Sequence, residues 1–264
     1  MKKKNEKKKV SPIKQVPLRR PGSFLLYQIL KKFSILFLVW FTPIVLWVGI
    51  MIGISLSSFL NKIYAFEISM ILISIWGLLI CIYRKRIEQS MDNLFLGYEG
   101  EVFVGEVLDS LKEKGCKIIH DFQYTHCKGK SNIDHIIIAP QGVFTVETKT
   151  VSKIESSDEK IVYDGETVRL NSGRPLENPL NQAEAEARAL KEFIYKQCKK
   201  EIFVRPIVVY PNWYIIDKSN SNNRKVFVWT HKYFANNIPD MPVILQDEDI
   251  NCIYEALAEH SRKS

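Results

Sequence analysis

The chain has 264 residues, 46% of them hydrophobic, with 37 Lys+Arg against 29 Asp+Glu and a net charge of +8, a length that holds one substantial domain plus an appendage. Residues 1–86 carry 15 Lys+Arg and 2 Asp+Glu, leaving 22 and 27 for residues 87–264, so the two parts stand at +13 and −5. That division excludes one basic domain coating nucleic acid by general electrostatic attraction.

Residues 1–22 form a basic tail with the runs Lys2–Lys4 and Lys7–Lys9. It has little apolar surface to bury and reads as disordered. Phe33 to Leu60 then runs without a charge, and Ile63 to Tyr83 carries only Glu67. Each is long enough for the roughly 20 apolar residues that cross a bilayer as helix. A cleavable signal peptide has a shorter apolar region and no second span behind it. Residues 23–86 therefore read as two transmembrane helices, about 33–60 and 63–83, anchoring the chain in the lipid bilayer of the cell membrane. Lys31 and Lys32 precede the first span, and Arg84, Lys85 and Arg86 follow the second, against Lys62 alone between them. By the positive-inside rule both termini face the cytoplasm. Gly49 and Gly53 form a small-residue pair of the kind that brings helices close. No line of polar residues crosses either span, and Glu67 falls near the outer surface, which argues for an anchor rather than a channel.

The five cysteines, Cys81, Cys116, Cys127, Cys198 and Cys252, are scattered and expected as reduced thiols in a cytoplasmic domain. Cys116, His120, His126 and Cys127 lack the spacing of a zinc site.

The cytoplasmic part divides into a core over 87–215 and a closing strand and helices over 216–264. Leu96 to Lys114 reads as a helix stopped by Gly115, and three extended segments follow, Cys116–Phe122, Ile133–Ala139 and Val143–Lys149. Asp164-Gly165 turns a hairpin of Lys160–Tyr163 with Thr167–Leu170. A long helix spans Asn178 to Lys200 behind Pro179. Phe203–Tyr210 and Lys225–Thr230 read as strands, and Asp247–His260 as a closing helix. The order is that of an α/β domain with a central mixed sheet.

The stretch from Asn132 to Lys149 is the most informative. Two apolar runs flank Pro140-Gln141-Gly142, and each carries polar residues. Strand alternation puts Glu147 and Lys149 on one face. With Pro140 and Gln141 as a two-residue loop, Ala139 pairs with Gly142 and Asp134 falls opposite Glu147. A bulge at Gly142 shifts that register by one. Two carboxylates side by side repel unless a proton or cation intervenes. A divalent metal with hard oxygen ligands, Mg²⁺ or alternatively Mn²⁺, answers this, and Lys149 then stabilises charge on a phosphate. The other reading is a pair of strand ends with solvated charges. Lys128 and Lys130, just before the Asp134 strand, are either phosphate contacts or a solvated loop. Tyr210 and Trp213 read as core or rim aromatics, and His135 points away from Asp134.

Asp134, twelve residues, then Glu147-Thr148-Lys149 resembles the PD-(D/E)xK signature of the restriction-endonuclease-like superfamily. With Gly97-Tyr98-Glu99-Gly100-Glu101, Ile133-Asp134-His135 and Asn178-Pro179-Leu180-Asn181-Gln182, the pattern over Leu96 to Tyr210 is similar to the NERD (nuclease-related) domain. The resemblance implies a restriction-endonuclease-like α-β-β-β-α-β core and a metal held by Asp134 and Glu147, with the Thr148 carbonyl as a third ligand. It implies Lys149 as catalytic lysine, Glu101 as an accessory acid and Gln182 as a group orienting water or substrate. The function expected is a membrane-anchored, metal-dependent nuclease acting on DNA or RNA. The alternative is a non-catalytic module that recruits a partner or nucleic acid to the membrane.

Overall fold

The computed structural model of the chain describes residues 18–55, 59–126, 129–152, 158–177, 179–220 and 224–263. Most of the basic tail thus lies outside the described residues. Two compact units result: Gly22–Gly100, and the chain from Glu101 on together with the segment ending at Pro21.

The first unit is helical. The uninterrupted apolar sequence after Ser23 forms α1 (Ser23–Ser55), with Pro43 inside it, and α2 follows (Phe59–Asp109). Within α1, Ser23–Gly53 is long and apolar enough to cross a membrane, whereas the apolar stretch of α2, Phe66–Leu79, is shorter than that requirement. Among the described residues there is one candidate span by length and composition, not two. Ile29 and Met91 are buried, Lys32 Nζ donates to Ser90 Oγ at 2.6 Å, and the Phe33 and Phe95 rings meet edge to face at 6.3 Å. These contacts tie the start of α1 to α2. Among the described residues nothing lies within 4 Å of where a Cβ would stand on Gly49 or Gly53.

α2 corrects the expectation of a helix that begins near Leu96. No proline stands between Phe59 and Asp109, and an interior glycine costs only about 1 kcal/mol. Gly97 and Gly100 are therefore carried within one continuous helix rather than at its start. A 3₁₀ turn, Ser110–Lys114, follows and ends at Gly115 in the left-handed region (φ 85°).

The second unit is built on a five-stranded sheet in the order β1-β2-β3-β6-β8, formed by β1 (Lys117–His126), β2 (Gly129–Ala139), β3 (Gly142–Thr148), β6 (Val204–Val209) and β8 (Phe227–Trp229). β1, β2 and β3 are antiparallel neighbours, whereas β6 runs parallel to β3 and β8 parallel to β6, so the sheet is mixed as expected. A second sheet, β5-β4-β7, takes β4 (Ile161–Tyr163) and β5 (Val168–Leu170) from between β3 and β6, and β7 (Ile215–Asp217) from after β6. β7 joins β4 in parallel from more than fifty residues away, a pairing without a local pattern to announce it.

Alternation along β2 and β3 assigns the layers. Ile136, Ile138 and Val143 pack with Ala187, Leu190 and Ile194 of α3 (Leu180–Cys198) and with Ile250, Ile253 and Leu257 of α5 (Asp247–Lys263). Ile137, Phe144 and Val146 pack on the other face with Val104 and Leu108 of α2 and Phe234 of α4 (Tyr233–Asn237). The small sheet has its own cluster, which takes in Tyr210, Trp213, Leu180 and Ala183. Pro179 stands at the N-cap of α3, one residue before its first turn; Asn178 lies outside the described residues.

Candidate functional site

The site begins with the turn. Ala139 pairs with Gly142, Ile138 with Val143 and His135 with Val146, so Pro140 and Gln141 form a two-residue loop and the bulged register does not occur. Gly142 has φ 132°, a conformation side chains rarely adopt. The tip is held in place because the Pro140 carbonyl accepts from the N–H groups of Ile244 (2.8 Å) and Leu245 (2.9 Å). One step beyond the last ladder pair, Asp134 reaches across: its Oδ2 accepts from the backbone N–H of Thr148 at 2.9 Å.

Five residues of the expected set occupy one neighbourhood. Lys149 Nζ lies 2.8 Å from Glu147 Oε1 and donates to Gln182 Oε1 at 3.1 Å, which places Gln182 from α3 over the end of β3. Asp134, Glu147 and Glu101 are buried. Glu101 stands near enough to feel Asp121, Glu147 and Lys149, and burial, reinforced by those two carboxylates, raises its pKa to about 8. Burial, then Glu147, Glu101 and Glu186, pushes Asp134 well above the usual carboxylate range, against the opposing Thr148 N–H. For Lys149, burial favours the neutral amine, but Glu147 with help from Glu177 and Asp134 outweighs it, and the ammonium is held more firmly than in water.

Two further acids belong to the site and were not read from the sequence. Glu186 is 3% exposed, and its Oε1 accepts from Gln182 Nε2 at 2.9 Å. Burial and Glu147 lift its pKa well above that of a free carboxyl. Its position in the buried stripe Ala183, Ala187, Leu190, Ile194 was the available signal. Asp121 is buried at φ 52°; its Oδ1 accepts from Asn132 Nδ2 at 3.2 Å, and Arg19 lies 3.7 Å from its Oδ2. Lys128 lies outside the described residues, and Lys130 is described only as a β2 backbone position opposite Thr125.

The other histidine face is separate. His135 is fully buried and its Nδ1 meets His120 Nδ1 at 2.9 Å, while His120 Nε2 meets Asp109 Oδ1 at 2.8 Å. Of the other residues in the zinc reading, Cys127 lies outside the described residues. Tyr210 and Trp213 are buried, Trp213 Nε1 donating to the Val151 carbonyl at 3.1 Å, which makes them core aromatics.

The residues suit a hard divalent cation in part. Among the described residues Glu101 Oε2 is buried without a hydrogen-bond partner, the Glu147 and Glu186 carboxyls lie within hydrogen-bond reach of each other, and crowded oxygens of one sign are what a cation neutralises. Among the described residues no three His, Cys, Asp or Glu side chains already converge as a metal cage. Mg²⁺ does not need one, since it keeps several waters and commonly takes one or two carboxylates.

Residues 96–211 match the family model of the nuclease-related domain, NERD. No curated protein matches the chain. Among solved structures, SfsA of Pyrococcus furiosus in complex with Ca²⁺ is similar at 19% identity, covering 50% of this chain and 55% of that one, with a TM-score of 0.24. The match thus spans about half of that protein, and a score this low carries no weight for the fold.

Proposed function

From the match of residues 96–211 to the nuclease-related domain model, we propose that the chain is a metal-dependent phosphodiester hydrolase acting on DNA or RNA. The observation that carries the reading is the cluster of Asp134, Glu147, Lys149 and Gln182, with Lys149 Nζ 2.8 Å from Glu147 Oε1 and 3.1 Å from Gln182 Oε1. Asp134 and Glu147 would hold the metal, Mg²⁺ or Mn²⁺, together with the Thr148 carbonyl and water. A cation there supplies Lewis acidity and a more acidic bound water.

The chain's own groups do the rest. Lys149 stays charged and is aimed by two acceptors, so it stabilises negative charge developing on a phosphate rather than removing a proton. Gln182 fixes that ammonium and leaves its own amide next to the path of water or substrate. Glu101, on α2, is the accessory acid that holds a proton at neutral pH while no cation is bound. Lys128 and Lys130 are proposed as phosphate contacts on the approach.

We further read residues 1–22 as a basic tail and residues 23–86 as a two-span anchor. On this reading the core of 87–215 and its closing segment 216–264 sit at the cytoplasmic face of the cell membrane. The apolar Ser23–Gly53 supports the first span, the second rests on the shorter apolar stretch Phe66–Leu79, and Lys31, Lys32, Arg84, Lys85 and Arg86 against Lys62 alone support the orientation. The net −5 of residues 87–264 favours a second reading, a non-catalytic interaction module, because it weakens general attraction to a polyanion.

The test is a cleavage screen of DNA and RNA by the full chain in detergent micelles, with and without Mg²⁺ or Mn²⁺, beside Lys149→Ala and Asp134→Ala. Metal-dependent cutting that falls by about a hundredfold or more in both variants supports the assignment. Cutting that survives both substitutions rejects it. A wild-type chain that neither cuts nor binds either metal leaves the interaction module.

A further inference from the structure

Glu186 has no task in the reaction as proposed, yet it is among the most buried charged groups of the chain. It lies one turn beyond Gln182 on α3, 3% exposed, within the stripe of Ala183, Ala187, Leu190 and Ile194. A carboxyl in such a place is costly unless hydrogen bonds hold it. Two groups hold it: Gln182 Nε2 donates to Glu186 Oε1 at 2.9 Å, and the Glu147 carboxyl lies within hydrogen-bond reach of its own. Gln182 Oε1 in turn accepts from Lys149 Nζ at 3.1 Å, and Lys149 Nζ lies 2.8 Å from Glu147 Oε1. A continuous chain therefore runs Glu186, Gln182, Lys149, Glu147.

The middle link has two unlike ends. A carboxamide can present oxygen or nitrogen to a neighbour, and only the oxygen accepts from an ammonium. Turned the other way, Gln182 would set its NH₂ against the Lys149 NH₃⁺, a repulsion in place of a bond. An i,i+4 pair on a helix holds its partners at a set spacing, so a group at position 186 that accepts and does not move decides which end faces Lys149. We propose that Glu186 is a positioning residue. It holds the Gln182 amide with its oxygen toward Lys149 and thereby keeps the ammonium aimed between Glu147 and Gln182. The proposal rests on Lys149 being the working group of the site.

The roles of hydrogen bond and charge separate by substitution. Glu186→Gln keeps an oxygen that accepts from Gln182 Nε2 and loses the charge; Glu186→Ala and Gln182→Ala break the chain. The reactivity of Lys149 is read in the full chain in micelles by competitive acetylation with a small anhydride, quantified on the Lys149 peptide by mass spectrometry. Glu186→Ala and Gln182→Ala are expected to raise Lys149 acetylation by a similar factor of several-fold, with no further rise in the double variant. Glu186→Gln is expected to stay within about twofold of wild type. If the alanine variant does not fold, as judged by its melting curve, Glu186→Met fills the space without an acceptor and carries the same expectation.

Equal effects of the Gln and Ala substitutions would mean that charge acts rather than the hydrogen bond, and would overturn the proposal. Unchanged labelling in Glu186→Ala would overturn it as well. The labelling reads out whether or not the chain cuts nucleic acid. Altered labelling without cleavage therefore rejects the hydrolase reading alone, and cleavage with unaltered labelling rejects the role of Glu186 alone.

Discussion

Glu101 offers the most quantitative check on the site's electrostatics. Its carboxyl is 7% exposed, and burial with Asp121 and Glu147 alongside raises its pKa from 4.5 to about 8. The fold therefore holds a proton that the unfolded chain releases, so the stabilising contribution is complete below pH 4.5 and disappears as pH rises toward 8. At about 1.4 kcal/mol per tenfold, linkage over that window amounts to about 4 kcal/mol. Asp134 and Glu186 share the field and absorb part of it, so roughly 2 kcal/mol is the least expected. Glu101→Gln replaces the protonated acid by a neutral group of the same shape and removes that titration. At pH 5 the variant should match wild type. At pH 8, with EDTA present, it should melt higher by roughly 6–12 °C, at about 3 °C per kcal/mol for a domain of this size. The assay is scanning fluorimetry of the full chain in micelles across pH 5 to 8. Parallel curves for the two proteins over the whole range would show that Glu101 is not titrating in a buried acidic cluster.

The remaining predictions use the same preparation. Millimolar Mg²⁺ or Mn²⁺ should raise the melting temperature of the wild type at pH 8 by several degrees, in keeping with about 2.7 kcal/mol at a hundredfold excess over Kd. Asp134→Asn should lose most of that rise, and an undiminished rise would move the metal elsewhere. His120 and His135 carry the opposite pH sign. Burial depresses both below 6.5, so the unfolded chain takes up protons first and their contribution is lost as pH falls below about 6.5. His135→Phe should cost stability at pH 7.5, with the deficit shrinking toward pH 5; a constant deficit would dismiss the linkage. Cys198 is half-buried at the end of α3 and in hydrogen-bond contact with exposed Cys252 of α5. Oxidised glutathione should therefore join them, Cys252 exchanging first and Cys198 expelling the glutathione thiol. Peptide mapping that finds only a stable glutathione adduct on Cys252 would contradict that proximity.

Much of the core was legible because its signals are local. Pro140-Gln141-Gly142 between two alternating runs determined the register once the loop length was known, and with it the meeting of Asp134 and Glu147. The apolar positions of α3 and the Asp164-Gly165 turn were similarly plain. β7 was not, since three residues are too few to show a period and its partner β4 lies far away in sequence. α4 is five residues long and equally silent. The unbroken passage of α2 through Gly97 and Gly100 was missed because glycines in a row of charges resemble a boundary. Glu186 was missed because a glutamate in a helix is expected in water; only its coincidence with the buried stripe marks it. The glycines of α1 have the sequence of a helix-contact pair, yet no neighbour among the described residues approaches them.

The hairpin of β2 and β3 has a consequence for how the chain can vary. Its two acids meet because each arm is counted from a tip two residues long, and the tip is pinned by Ile244 and Leu245. One residue inserted in either arm would set His135 or Ile133 opposite Glu147 and turn an acid toward the wrong layer. Between Asp134 and Glu147 the length of this hairpin therefore acts as a ruler. Variants with altered loops elsewhere should persist where those with a single added or missing residue here do not.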